Sequence, residues 1–159
     1  MRLLLVVLAA SLLQSPARPD FSGSWKMIAA RSESPNQTPP VNEMTFVIEQ
    51  AADQIKLDMT SGATGASRTI SVAYPIVPAP KLPADSPSTD ERRAYWDTNR
   101  LILERGGTIS GQTVSSRQSL TLGVDGEMIV ERLVIVQHGY TLRGTRNYAA
   151  VKDVFERAQ

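Results

Sequence analysis

Segments whose side chains alternate between apolar and polar follow one another along nearly the whole chain, and none of comparable length repeats at the helical period. Strand character is read at 21–29, 44–49, 54–60, 67–74, 92–96, 100–104, 113–122, 127–136 and 140–149, with 151–158 as a candidate last helical turn. Eight or nine strands in simple succession, joined by short turns, predict an all-β fold. The expected form is a single up-and-down antiparallel β-barrel, because closure removes the exposed edges that such strands would otherwise present.

The alternation begins only after residue 17. Before it, MRLLLVVLAASLLQSPA carries Arg2, an apolar run from Leu3 to Leu13, and the small residues Ser15 and Ala17 around Pro16. This reads as a secretory signal, residues 1–17, followed by one domain at 18–159. The apolar run is too short for a membrane anchor and has no basic stop-transfer flank. Removing it takes away Arg2 and no acid, which leaves sixteen Lys plus Arg against sixteen Asp plus Glu. A neutral chain argues against nucleic acid or anionic lipid as partner. The sequence has no cysteine, so disulfides and thiol chemistry are excluded and the core alone must hold the domain. Such a chain is expected in the periplasm or secreted from a bacterium.

Two proline-rich stretches interrupt the strands. SPNQTPP spans 34–40, and YPIVPAPKLPADSP spans 74–87, long enough for a lid, a rim wall or a stiff connector. GATGAS at 62–67 lies between two strands with no helix after it, so it reads as a hairpin turn and not as a phosphate cradle.

Register can be argued for the last strands. LGVDGEM offers a three-residue loop at 124–126 with glycine at the left-handed position, which pairs Leu122 with Met128, Leu120 with Val130 and Gln118 with Arg132. A second glycine loop at 137–139 would pair Arg132 with Gly144, Val130 with Arg146 and Met128 with Tyr148. Both loops put the same residues on the more apolar face, which is therefore the interior. Ile129, Leu133 and Ile135 fall on the outer face. The inner row then holds Gln118, Arg132, Arg146 and Tyr148 among aliphatic and methionine side chains, with no Asp or Glu on the same wall. An arginine keeps its charge, so two of them inside call for water, a carbonyl, an aromatic ring or an anionic ligand.

FSGSWK at 21–26 and TRNYAAV at 145–151 resemble the ends of the fatty-acid-binding proteins, and the glycine-x-tryptophan entry is shared with lipocalins and the wider calycin superfamily. The resemblance implies that Gly23 starts the first strand, that Trp25 plugs the barrel floor, and that a late arginine packs over its ring. It also implies that Arg146 and Tyr148 reach a ligand carboxylate. The two-helix lid of that family is replaced here by RSESPNQTPPV, and the match covers the ends of the chain and not its middle. The whole is read as lipocalin-like.

Each residue has a plainer role beside the functional one. Trp25 is a core plug. Arg146 stacks over Trp25 by cation–π attraction, binds a carboxylate, or does both. Gln118 and Arg132 point into water if the register slips by one residue, and Tyr148 closes the barrel seam. In ERRAYW, 91–96, the arginines belong to a solvated strand face. The single histidine, His138, sits in a turn, so no metal or haem cluster and no Ser-His pair can be assembled, and no cofactor is expected. Function is accordingly expected to be non-catalytic: an exported protein holding a small hydrophobic or fatty-acid-like ligand in the barrel. The alternative is a filled barrel that works through its outer surface as an interaction domain.

Overall fold

The structure is a computed structural model and describes residues 18–63, 66–81, 92–109, 111–136 and 148–158. Nine strands account for most of them: β1 Gly23–Met27, β2 Glu43–Gln50, β3 Gln54–Ala63, β4 Ala66–Pro75, β5 Arg93–Asp97, β6 Arg100–Ile109, β7 Gln112–Leu122, β8 Met128–Val136 and β9 Tyr148–Arg157. They form one antiparallel sheet in the order β4-β3-β2-β1-β9-β8-β7-β6-β5. The two outermost strands approach each other through a bridge between Ile76 and Ala94, so the sheet curls into a nearly closed barrel. Among the described residues no helix is long and apolar enough to cross a membrane.

Alternation sorts the strands into two faces. Trp25, Phe46, Ile48, Leu57, Leu101, Leu103, Leu120, Val130 and Phe155 all turn inward and are almost wholly buried in one cluster. In β2 the rule is unbroken, with Met44, Phe46 and Ile48 buried between exposed neighbours. Trp25 is 1% exposed, and its ring N–H donates to the carbonyl of Phe21 at 2.8 Å, which satisfies the polar atom of an otherwise apolar plug. Phe21 in turn stacks on Trp96 from β5, with centroids 6.2 Å apart, and so ties the first strand to the far side of the barrel.

The hairpin between β7 and β8 has the register read from the sequence. Leu122 faces Met128, Leu120 faces Val130 and Gln118 faces Arg132. Gly126 takes the left-handed conformation, φ 79°, that closes a three-residue loop. The expectation for the last strand fails. β9 lies at Tyr148–Arg157, so the expected terminal helical turn at 151–158 is strand instead, and 140–147 lies outside the described residues. Met128 pairs with Phe155 and not with Tyr148, and Arg132 pairs with Val151 and not with Gly144. Two features hide this strand in the sequence: Asp153 stands in the inner apolar row, and Val154 and Phe155 are both buried although they face opposite ways. The loop read at 137–139, with His138, lies outside the described residues.

Between β1 and β2 the chain makes two short 3₁₀ turns, Ala29–Arg31 and Ser34–Asn36, in place of a helical lid. Pro35 suits the first turn of the second, where its missing N–H is not needed. This segment runs beside residues 152–154 of β9, where β1 has already ended. The Ser32 hydroxyl accepts from the Val154 N–H at 3.0 Å, and the Glu33 N–H donates to the Lys152 carbonyl at 2.9 Å.

Candidate functional site

Arg132 and Gln118 are direct cross-strand partners on the inner face, at the point where the packed core ends. Beyond them the inner row continues with Arg105, Ser116 and Val134, all exposed. The guanidinium of Arg132 already has a carboxylate partner. Its Nη2 donates to the Asp153 carboxylate and to the Ser34 hydroxyl. Asp153 is wholly buried and also accepts from the Ser34 N–H at 2.9 Å and from its hydroxyl at 2.6 Å. The premise that no acid stands on this wall is therefore corrected: Asp153, two residues along β9 from Val151, supplies the compensating charge. The knot joins β8, β9 and the second 3₁₀ turn; because the Arg132 side chain is 25% exposed, water recovers part of what removing one member of the pair would otherwise cost. Arg132 Nε and Gln118 Oε1 have no hydrogen-bond partner among the described residues.

Arg146 lies outside the described residues. The backbone of Tyr148 opens β9 and pairs with Ile135 and not with Met128. The late arginine that covers the floor tryptophan is Arg157, whose guanidinium carbon sits 4.4 Å from the centre of the Trp25 ring.

The face of β5–β8 turned away from the core is unexpectedly buried. Tyr95, Ile102, Glu104, Ser115, Ser119 and Ile135 are each no more than 9% exposed. Ile129 and Leu133 on the same face are half-buried, so the outward apolar surface read from the sequence is largely covered. Glu104 lies at its centre, fully buried. Cross-strand register sets Arg93 on one side of it and Arg117 on the other. Glu104 Oε2 accepts from Arg93 Nε at 2.7 Å, and Oε1 accepts from Arg117 Nε at 2.6 Å. The Tyr95 hydroxyl donates to Oε1 at 3.3 Å. Burial pushes the Tyr95 phenol above its ordinary pKa, and the adjacent Glu104 charge adds to the shift. Of the two arginines in ERRAYW, Arg92 is exposed, whereas Arg93 is only 9% exposed and ion-paired, so the reading of both as a solvated face is corrected for Arg93.

A cleft of about 640 Å³ opens on this outward face. Its wall is apolar at Ile102, Leu133 and Ala150, and polar at Tyr95, Arg117 and Ser119; Pro80 borders it beside β5 and Glu33 beside β9. Ser119 is 9% exposed, and its hydroxyl has no partner among the described residues. The volume falls in the range of roughly 300–1,000 Å³ that small-molecule sites occupy. A smaller cleft of about 330 Å³ adjoins Arg105, Gly107, Val114 and Ser116 at the open end of the inner row. Among the described residues no group of three or more His, Asp or Glu side chains is placed to hold a metal ion.

Sequence reasoning missed Asp153 and Glu104, the two buried acids that organise both faces. Glu104 closes the strand read at 100–104, although β6 runs on to Ile109.

No protein-family model matches the chain, and no curated protein matches it. Among solved structures, a variant of the fluorescent protein UnaG is similar at 15% identity and a TM-score of 0.49, covering 87% of this chain and 96% of that one. The REP1-NXSQ fatty acid transporter is similar at 12% identity and a TM-score of 0.39, covering 87% and 96%. A secretary abundant heat soluble protein from Ramazzottius varieornatus is similar at 9% identity and a TM-score of 0.39, covering 87% and 95%. At these values the likeness carries nothing about ligand or activity.

Proposed function

We propose that this chain is an exported, non-catalytic binding protein for a small, largely apolar molecule. The observation that carries the reading is the cleft of about 640 Å³ on the outward face of β5–β9, where Ile102 and Leu133 offer apolar wall beside the polar Tyr95 and Ser119. A few polar groups on an apolar wall is the pattern of a small-molecule site. The packed interior around Trp25, Phe46 and Phe155 leaves the floor of the barrel to structural duty. The Arg132 knot, with its charge already met by Asp153, is assigned to fixing the segment after β1, while Arg132 also borders the cleft. Export rests on the signal-like residues 1–17.

Native mass spectrometry of the protein recovered from the periplasm or medium of its own cells tests both parts. The expected result is a chain beginning near Arg18 with a copurified small molecule that is lost on denaturation. An intact Met1 would end the export reading. A ligand-free spectrum, together with no displacement of an apolar fluorescent probe by any lipid extract, would favour a filled barrel that works through its surface.

A further inference from the structure

Every arginine at the cleft is already answered by a carboxylate. Arg132 is paired with the buried Asp153, and Arg117 and Arg93 share the buried Glu104. Arg100 is paired with Asp97 three residues before it. The remaining cation, Lys152, stands opposite Glu131 in the β8–β9 register. Three acids, Glu33, Asp97 and Glu131, belong to the lining itself. An incoming carboxylate would have to displace existing ion pairs and would meet like charge on several sides, which disfavours it.

Two lining side chains carry a buried polar atom without a partner among the described residues: Arg132, whose charge Asp153 already meets, and the uncharged Ser119. Ser119 Oγ exposes almost no surface and is unpartnered among the described residues, while Ser119 itself lines the cleft between Ile102, its partner on β6, and Glu131, its partner on β8. A serine hydroxyl can donate to a carbonyl or accept from another hydroxyl, and rotation about one side-chain bond re-aims it.

We infer that the occupant of the cleft is an uncharged amphipathic molecule, an aliphatic body bearing a hydroxyl, ester or amide oxygen, and that Ser119 hydrogen-bonds that oxygen. This rests on the binding reading above and narrows it, replacing the acidic ligand that the sequence suggested.

The test titrates the purified barrel at neutral pH with dodecanol, methyl dodecanoate and dodecanoic acid. The alcohol and the ester are expected to bind at least as tightly as the acid. Ser119→Ala should weaken the alcohol and the ester by roughly three- to tenfold, the worth of one neutral hydrogen bond. An unchanged melting temperature would confirm that the variant still folds. Binding of the acid more than tenfold tighter than the ester overturns the inference while leaving the binding reading intact. So does an alcohol affinity that Ser119→Ala leaves unmoved. If none of the three probes binds a folded wild-type barrel, the binding reading falls and this inference falls with it.

Discussion

Trp25 and Arg157 face each other across the β1–β9 seam, with the guanidinium 4.4 Å from the ring centre. Arg157 also donates to the Ser22 carbonyl at 2.7 Å and to the Asp20 carbonyl at 3.2 Å, so the last strand clasps the entry of the first. Trp25→Ala is expected to cost about 3–5 kcal/mol, as for large aromatic deletions in a core. Arg157→Ala should cost about 1 kcal/mol, because Arg157 is largely exposed and its cation–π contact is worth little more than that. Urea denaturation of both variants checks the ordering; a larger loss for Arg157→Ala would move the closure of the floor from the ring to the arginine.

Gly23 adopts φ 114°, a conformation open to glycine, and a Cβ built on it would stand 3.0 Å from Arg157 Nη1. Gly23→Ala therefore carries both backbone strain and crowding, with an expected cost of about 1–3 kcal/mol. In the Gly23→Ala, Arg157→Ala double variant the crowding is relieved and the strain stays, so the loss should be less than the sum of the singles. Strict additivity would show that the arginine does not feel the added methyl.

How far the sequence could be read depended on whether a strand kept its alternation. The β7–β8 hairpin was legible because Gly126 marks its loop and Leu120, Leu122, Met128 and Val130 keep the period. β9 was not, because the barrel places a charged residue, Asp153, where the pattern requires an apolar one and buries both Val154 and Phe155. From that misplacement followed the arginine pair without an acid, since the acid was on the strand that had been missed. The candidate cleft was hidden for a related reason. A face is read as solvent-facing when it is polar, yet Glu104, Ser115 and Ser119 are buried there, and only three-dimensional pairing shows that Arg93 and Arg117 flank one carboxylate.

That shared carboxylate makes a specific energetic prediction. Glu104→Gln removes the buried negative charge that Arg93 and Arg117 both contact and should destabilise the barrel by about 3–5 kcal/mol. Replacing the set together, Arg93→Met with Glu104→Leu and Arg117→Met, should restore stability to within about 1–2 kcal/mol of wild type, because no charge then needs compensation. Equilibrium unfolding of the single and triple variants checks this, and a triple variant less stable than the single one would show that the ions hold the face together by more than mutual neutralisation.

Burial pushes the Tyr74 phenol above its usual value, and the charges of Arg105 and Arg92 pull it only partly back. A raised folded-state value means that the neutral phenol contributes stability below about pH 10, lost as the pH rises through the folded value. Stability measured between about pH 9 and 11 should therefore fall with pH, and the fall should be shallower in Tyr74→Phe. Equal slopes in the two proteins would assign the alkaline loss to other groups, the raised Tyr95 phenol first among them.

Asp153 ties Arg132 of β8 and Ser34 of the second 3₁₀ turn to the same buried point of β9. Asp153→Asn keeps the shape and one acceptor but leaves the Arg132 charge without its partner. Because the Arg132 side chain is 25% exposed, water recovers part of the loss, and a cost of about 1–3 kcal/mol is expected in place of the full buried-pair value. Ser34→Ala keeps the ion pair and the backbone N–H contact and removes only the hydroxyl, so it should cost about 1 kcal/mol. The two variants should also differ locally. With the charge knot broken, the segment from Ala29 to Val41 loses the anchor that holds it beside β9, and limited proteolysis there should speed up more in Asp153→Asn than in Ser34→Ala. Cleavage at the wild-type rate in Asp153→Asn would mean that the contacts of Ser32 and Glu33 with β9 suffice to hold the segment, and that the buried acid serves the barrel wall alone.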